Sequence, residues 1–96
     1  MTALLEVPVD GGPYAVAAGP DGAMWVTLVH GGAVARVTNS GALSTFAVAP
    51  DSRPSLIAAA RDGALWFTRA GDDRIGRMFL ALIRATTRTS AFLDRP

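Results

Sequence analysis

Residues Pro13–Val37 read PYAVAAGPDGAMWVTLVHGGAVARV, and 41 residues later Pro54–Met78 read PSLIAAARDGALWFTRAGDDRIGRM. The register holds without a gap. Pro13 falls on Pro54, Val16 on Ile57, Asp21 on Asp62, Gly22 on Gly63, Trp25 on Trp66, Thr27 on Thr68 and Arg36 on Arg77. Self-similarity at a period of this size marks a repeat architecture, in which neighbouring units bury each other's apolar faces.

Each unit reads as short strands separated by turns. In the first, Tyr14–Ala18 is a small-apolar run, and Gly19-Pro20-Asp21-Gly22 is dense in turn residues. Pro presets φ for the second turn position and Gly supplies a positive φ. Ala23–Thr27 then reads as a second strand, Ala33–Val37 as a third and Leu43–Val48 as a fourth. The turns between them fall at His30-Gly31-Gly32 and Thr38-Asn39-Ser40-Gly41. The second unit predicts strands over Ser55–Ala59, Ala64–Thr68 and Arg74–Met78, with turns at Arg61-Asp62-Gly63 and Gly71-Asp72-Asp73. Runs of about five residues at roughly ten-residue spacing indicate an all-β meander. No window before Met78 holds the spacing of an amphipathic helix.

Four antiparallel strands in a little over 40 residues make one blade of a β-propeller. The expected fold class is therefore all-β, with about two four-stranded antiparallel blades. Trp25 and Trp66 are expected to pack between neighbouring blades, each contributing ~2 to 3 kcal/mol when fully buried. Residues 1–12 read as an outer strand of a neighbouring blade and a turn, because Leu4, Val7 and Val9 match Leu43, Phe46 and Val48. Pro8 suits such an edge strand. Residues 13–50 form blade one, and 51–78 an incomplete blade two.

Residues 79–96 depart from the pattern. Phe79–Arg88 holds no Gly or Asp, the residues that make turns elsewhere in the chain. Three accounts stay open for this irregular tail: a late fourth strand at 89–93, a short helix over Phe79–Ala85, or a reading frame lost near residue 78.

Composition narrows the function classes. The chain has 96 residues, a net charge of +1, 50% hydrophobic residues and no Cys. Its nine basic residues are scattered, so no electrostatic footprint for nucleic acid is expected. The longest apolar run is too short to span a bilayer, and no membrane partner is expected. No charged segment followed by an apolar core marks a signal peptide, and the expected location is cytoplasmic. Two blades fall short of the ~4 of the smallest common propeller. A pair leaves two apolar flanks wet, which points to self-association or to a longer protein.

The motifs at Gly12-Pro13-Tyr14, Gly19-Pro20-Asp21-Gly22-Ala23-Met24-Trp25-Val26-Thr27, Asp62-Gly63-Ala64-Leu65-Trp66-Phe67-Thr68 and Arg74-Ile75-Gly76-Arg77 resemble one family. It is the streptogramin B lyases, also called virginiamycin B lyases, whose blades carry GPDGALWFTE followed by NxIGRI. The resemblance runs over about residues 4–78 and looks like that family's N-terminal blades. It implies a seven-bladed propeller and an enzyme that linearises type B streptogramin antibiotics by elimination at their ester bond. It also implies a His for proton transfer and a magnesium ion held by carboxylates. Elimination needs a base beside the ester carbonyl and a Lewis acid for the enolate-like charge.

Carried over residue by residue, the resemblance transfers no catalytic residue and no metal ligand. The family's His residues follow the Pro that opens an innermost strand; here those pairs are Pro13-Tyr14 and Pro54-Ser55. The family's metal-holding Glu would fall at Gly11 or Gly12, or at Ser52 or Arg53. The Glu ending WFTE is Leu28 in one unit and Arg69 in the other. The resemblance thus implies a fragment inactive alone; a non-catalytic ligand- or protein-binding module that assembles as an oligomer is the alternative. Two substrate-contact candidates remain. Tyr14 either lines a channel mouth or fills a strand-start corner. His30, the one His of the chain, is either a contact or a solvated loop residue. Asp72-Asp73 reads as turn chemistry before cation binding.

Overall fold

Turn chemistry sets the strand boundaries. At Gly19-Pro20-Asp21-Gly22 the Gly22 N–H donates to the Gly19 carbonyl at 3.1 Å, and Gly22 sits at φ +85°. The same turn recurs in the second unit, where Gly63 N–H donates to the Ala60 carbonyl at 3.2 Å and Gly63 also has φ +85°. Only a residue without Cβ takes this left-handed conformation at little cost. The computed structural model describes residues 4–79.

Seven strands follow: β1 (Pro13–Ala18), β2 (Met24–Leu28), β3 (Ala33–Val37), β4 (Leu43–Ala47), β5 (Pro54–Ala59), β6 (Ala64–Arg69) and β7 (Arg74–Phe79). They form two antiparallel meanders, a four-stranded sheet in the order β1-β2-β3-β4 and a three-stranded sheet in the order β5-β6-β7. The described residues contain no helix. The expected blades are therefore formed, and strand limits agree with the sequence reading to within a residue or so.

Both sheets break register at the same place. The β1–β2 ladder slips between Pro13 and Val16, and the β5–β6 ladder between Pro54 and Ile57. A Thr hydroxyl repairs each break. Ala15 N–H donates to Thr27 Oγ1 at 3.1 Å, and Leu56 N–H to Thr68 Oγ1 at 3.0 Å. A backbone donor left out of the ladder thus still finds an acceptor.

Strand alternation gives each blade two flanks. Trp25 and Thr27 leave β2 on one side, Met24 and Val26 on the other. The Trp25 flank of blade one packs on the Leu65–Phe67 flank of blade two, and Trp25, Val34, Leu65, Phe67 and Met78 form one buried cluster. Trp25 stacks on Phe46 with centroids 5.7 Å apart. Gly76 lets this interface close, since a Cβ there would strike the Phe67 ring. A second cluster of Leu28, Ala33 and Ala35 lies on the opposite flank of blade one, with Val9 and Val26 against it.

Three expectations are corrected or left aside. Among the described residues Trp66 has a blade on one side only and is 41% exposed, since no described sheet covers its flank. Leu4–Val9 forms no strand in the described residues: its expected partner is a blade beside the outer flank of blade one, where Val9 packs, and no such blade is among the described residues. The lead-in still docks as an outer strand's end would. Val29 N–H donates to the Gly12 carbonyl and His30 N–H to the Gly11 carbonyl, just as Ala70 and Gly71 donate to Arg53 and Ser52. Finally, β7 runs one residue past the predicted Arg74–Met78 and includes Phe79. The helix predicted over Phe79–Ala85 has its first residue, Phe79, in β7 and otherwise falls outside the described residues, as does the late strand at 89–93.

Candidate functional site

The two contact candidates share one end of blade one. Pro13 at the start of β1 pairs with Leu28 at the end of β2, so Tyr14 and the β2–β3 turn carrying His30 lie at the same rim. Tyr14 is 63% exposed among the described residues. His30 is exposed too, and its ring lies over Gly12, where a Cβ would collide with it. The absence of a side chain at Gly12 thus brings the imidazole alongside the chain that leads to Tyr14.

Blade two presents its counterpart rim. Ser55 stands where Tyr14 does, and Pro54 pairs with Arg69. Arg69 takes the position of the family's motif Glu and is 5% exposed. Its Nε donates to Asp72 Oδ1 at 3.1 Å, and its Nη2 also bonds Asp72. A buried guanidinium needs such a partner. Asp72 is therefore committed to Arg69, and Asp73 takes a left-handed turn conformation at φ 56°. The turn reading of this acidic pair holds.

At the opposite end each blade carries a cation clamped on a Trp. Arg36 Nε donates to Asp21 Oδ2 at 2.8 Å, and Trp25 Nε1 donates to Asp21 Oδ1 at 3.2 Å. Arg36 also lies over the Trp25 ring, 5.9 Å from its centroid. Burial alone would raise the Asp21 carboxyl; the hydrogen bonds from Arg36, Trp25 and Ala23, with the Arg36 charge, outweigh it and hold the carboxyl below its usual value. Blade two repeats the pair in the open. Arg77 Nη2 bonds Asp62 Oδ2 at 2.5 Å, and Arg77 lies 5.0 Å from the Trp66 centroid. There the Ala64 N–H and then Arg77 lower the Asp62 carboxyl.

These pairings bear on magnesium. Asp21, Asp62 and Asp72 each face an Arg, and the described residues hold no cluster of three or more His, Cys, Asp or Glu placed for a metal. A hard cation needs several free oxygens. The described carboxylates do not fit one.

From sequence, Asp21 and Asp62 read only as turn residues and Thr27/Thr68 and Arg36/Arg77 only as strand positions, although the repeat displays all three pairs. Polar residues recurring at one register in both blades were the signal for the Thr clamp and the Asp–Arg–Trp cluster.

Comparison with known proteins agrees with this architecture. The description "Virginiamycin B lyase family" matches residues 2–88. The chain belongs to the virginiamycin B lyase family. A virginiamycin B lyase from Mycolicibacterium smegmatis is 67% identical over 52 residues, covering 54% of this chain and 18% of its own. The crystal structure of virginiamycin B lyase from Staphylococcus aureus superposes with a TM-score of 0.78 at 29% identity, covering 94% of this chain and 29% of that one. A catalytically inactive His-to-Ala variant of the same enzyme, solved with quinupristin, gives a TM-score of 0.75 at 30% identity, covering 95% and 29%. The chain thus spans less than a third of the length of these relatives.

Proposed function

We propose that these two blades are a portion of a cytoplasmic streptogramin B lyase, and that they contribute substrate contacts rather than chemistry. Tyr14, with His30 beside it, meets the macrocyclic antibiotic at the rim. The base and the magnesium site belong to other blades of the propeller, and the two blades are inactive alone. One observation carries this reading: the rim exposes an aromatic side chain, while every described carboxylate with a side-chain partner is engaged by an Arg. Exposed aromatic rings suit an apolar macrocycle, which they cover at low entropic cost.

The reaction proposed for the whole propeller breaks the ester C–O bond. A proton leaves the carbon next to the alkoxy carbon, a C=C bond forms between those two carbons as the alkoxy C–O bond breaks, and the carboxylate departs. The linear product is an isomer of the macrocycle, so chromatography distinguishes the two and mass alone does not.

The test is a segment exchange. Residues 4–79 replace the matching segment of the Mycolicibacterium smegmatis enzyme, and conversion of quinupristin is followed by liquid chromatography with magnesium present. The chimera is expected to produce the linear isomer, and the chain alone is expected to produce none. Turnover by the chain alone, or a folded chimera without turnover, overturns the proposal.

A further inference from the structure

The two blades exchange a large and a small residue at one rim position. Gly12 and His30 of blade one correspond, at the repeat spacing, to Arg53 and Gly71 of blade two. In blade one the His30 ring lies over Gly12, and a Cβ at Gly12 would strike it. In blade two the relation is reversed: Arg53 Cγ lies 2.9 Å from where a Cβ of Gly71 would stand. Each blade thus sets one long polar side chain against one glycine at the same place. We propose that Arg53 is a further substrate contact of this rim, holding a carbonyl edge of the macrocycle while Tyr14 covers its face. The inference rests on the proposed function, in which this rim meets the antibiotic.

The starts of β1 and β5 are held side by side. Thr27 Oγ1 accepts from Ala15 N–H at 3.1 Å and donates to the Ser55 carbonyl at 2.6 Å. Tyr14 and Arg53-Pro54 therefore enter their strands next to each other, at one end of the sheets. That end is formed by strand starts and turns. It is not an outer flank, and a blade packed on a flank does not cover it.

Arg53 occupies its place at a cost. Its φ is 50°, in the left-handed region, where its counterpart Gly12 has φ 74°. Glycine takes that conformation freely, and a residue with a Cβ does not. The loop imposes it from several sides. The Arg53 carbonyl accepts from Ala70 N–H at 3.2 Å and from Ser55 Oγ at 2.9 Å, and the neighbouring Ser52 carbonyl accepts from Gly71 N–H at 2.9 Å. A glycine at position 53 would keep all three bonds without the strain. Backbone strain of this kind is retained at ligand clamps. The side chain is exposed. Arg36, Arg69 and Arg77 are each bound to an Asp, whereas Arg53 makes no ion pair among the described residues.

A guanidinium carries five N–H donors in a planar fork and no acceptor. A macrocycle closed through an ester offers carbonyl oxygen, an acceptor without charge. An aromatic ring on the apolar face and a donor fork on the carbonyl edge are the two kinds of contact that orient a ligand of this size. Arg53 makes and breaks no covalent bond. Its hold on the substrate is equal in the ground and transition states, so its loss raises KM and leaves kcat in place.

The test uses the chimera that carries residues 4–79 in the Mycolicibacterium smegmatis enzyme, with Arg53→Gly and Arg53→Asn as variants. Gly removes the strain, and Asn tolerates the left-handed conformation with a short neutral side chain. Both are expected to raise KM for quinupristin about 10-fold, the worth of one hydrogen bond to a charged group, with kcat within about twofold of the parent. Both are expected to unfold at a temperature no lower than the parent chimera. An unchanged KM in the folded, active variants overturns the contact and leaves the proposed function standing. A raised KM accompanied by a lower unfolding temperature in both variants makes Arg53 a support of the loop and also overturns the contact. A folded parent chimera without turnover overturns the proposed function and this contact with it.

Discussion

The Thr27 hydroxyl donates to the Ser55 carbonyl at 2.6 Å, joining two blades across 28 residues of sequence. The same oxygen accepts the Ala15 N–H at 3.1 Å. One side chain thus repairs the slipped β1–β2 ladder and forms a polar joint inside an otherwise apolar interface. A Val would match its shape and lose both bonds.

Thr27→Val is therefore expected to cost about 2 to 3 kcal/mol, since it leaves a buried donor and a buried acceptor without partners. Thr68→Val removes the repair of the β5–β6 ladder but no joint between described blades, and should cost about 1 kcal/mol. Urea unfolding of both variants at low protein concentration checks the difference. Equal losses would show that the joint to Ser55 contributes nothing.

The two Trp residues share a repeat position and not an environment. Trp25 is fully buried and Trp66 is 41% exposed. Trp25→Ala removes a core aromatic and should cost about 3 to 5 kcal/mol, as much as the whole stability of many small domains. Trp66→Ala should cost about 1 kcal/mol, its partial burial on Arg77. Thermal unfolding at low concentration separates the two; a Trp66 variant as damaged as the Trp25 variant would mean that its flank is covered.

Repetition made the fold readable before any geometry. Pro13/Pro54, Gly22/Gly63 and Trp25/Trp66 announced turns and strands, and the meander follows them. What the sequence could not convey was the surroundings. Trp66 and Leu4–Val9 were expected to pack and pair as their counterparts do, yet burial and pairing depend on a neighbouring sheet, and position in a repeat does not supply one. The rim was half readable. Tyr14 stands out in the sequence at the start of a strand, in the Gly-Pro-Tyr motif, and His30 in a turn. Their common end of the blade became visible only through the Pro13–Leu28 pairing. Arg69 looked like a mere departure from the family's Glu. Its burial and its bond to Asp72 show instead why that position tolerates a cation.

Gly76 is a packing glycine: its neighbour across the sheet is Phe67, whose ring occupies the place of a side chain. Gly76→Ala should force the ring off its rotamer and cost about 1 to 3 kcal/mol. Pairing it with Phe67→Leu should recover part of the loss, because the smaller side chain leaves room for the methyl. A double variant no more stable than Gly76→Ala alone would remove the ring as the cause.

Acid should loosen the blades through Asp21. Its carboxyl is held below the usual value of 3.8 by Arg36 and Trp25 against the cost of burial. A carboxyl with a lower pKa in the folded chain binds fewer protons folded than unfolded in the window between the two values, so stability rises with pH there. The contribution is fully present above the unfolded value and is lost as pH falls through the folded one. Asp21→Asn lacks it throughout and should be less stable by about 2 kcal/mol near neutral pH, the worth of hydrogen bonds to a charged group. The gap to wild type should stay constant down to about pH 5 and then narrow as the wild-type carboxyl takes up its proton. Urea titrations from neutral pH into the acid range measure that gap, while Asp62, exposed and present in both proteins, contributes equally to each. A gap that did not change with pH would show that Asp21 acts through shape and neutral hydrogen bonds, and that its ion pair with Arg36 adds nothing to the blade.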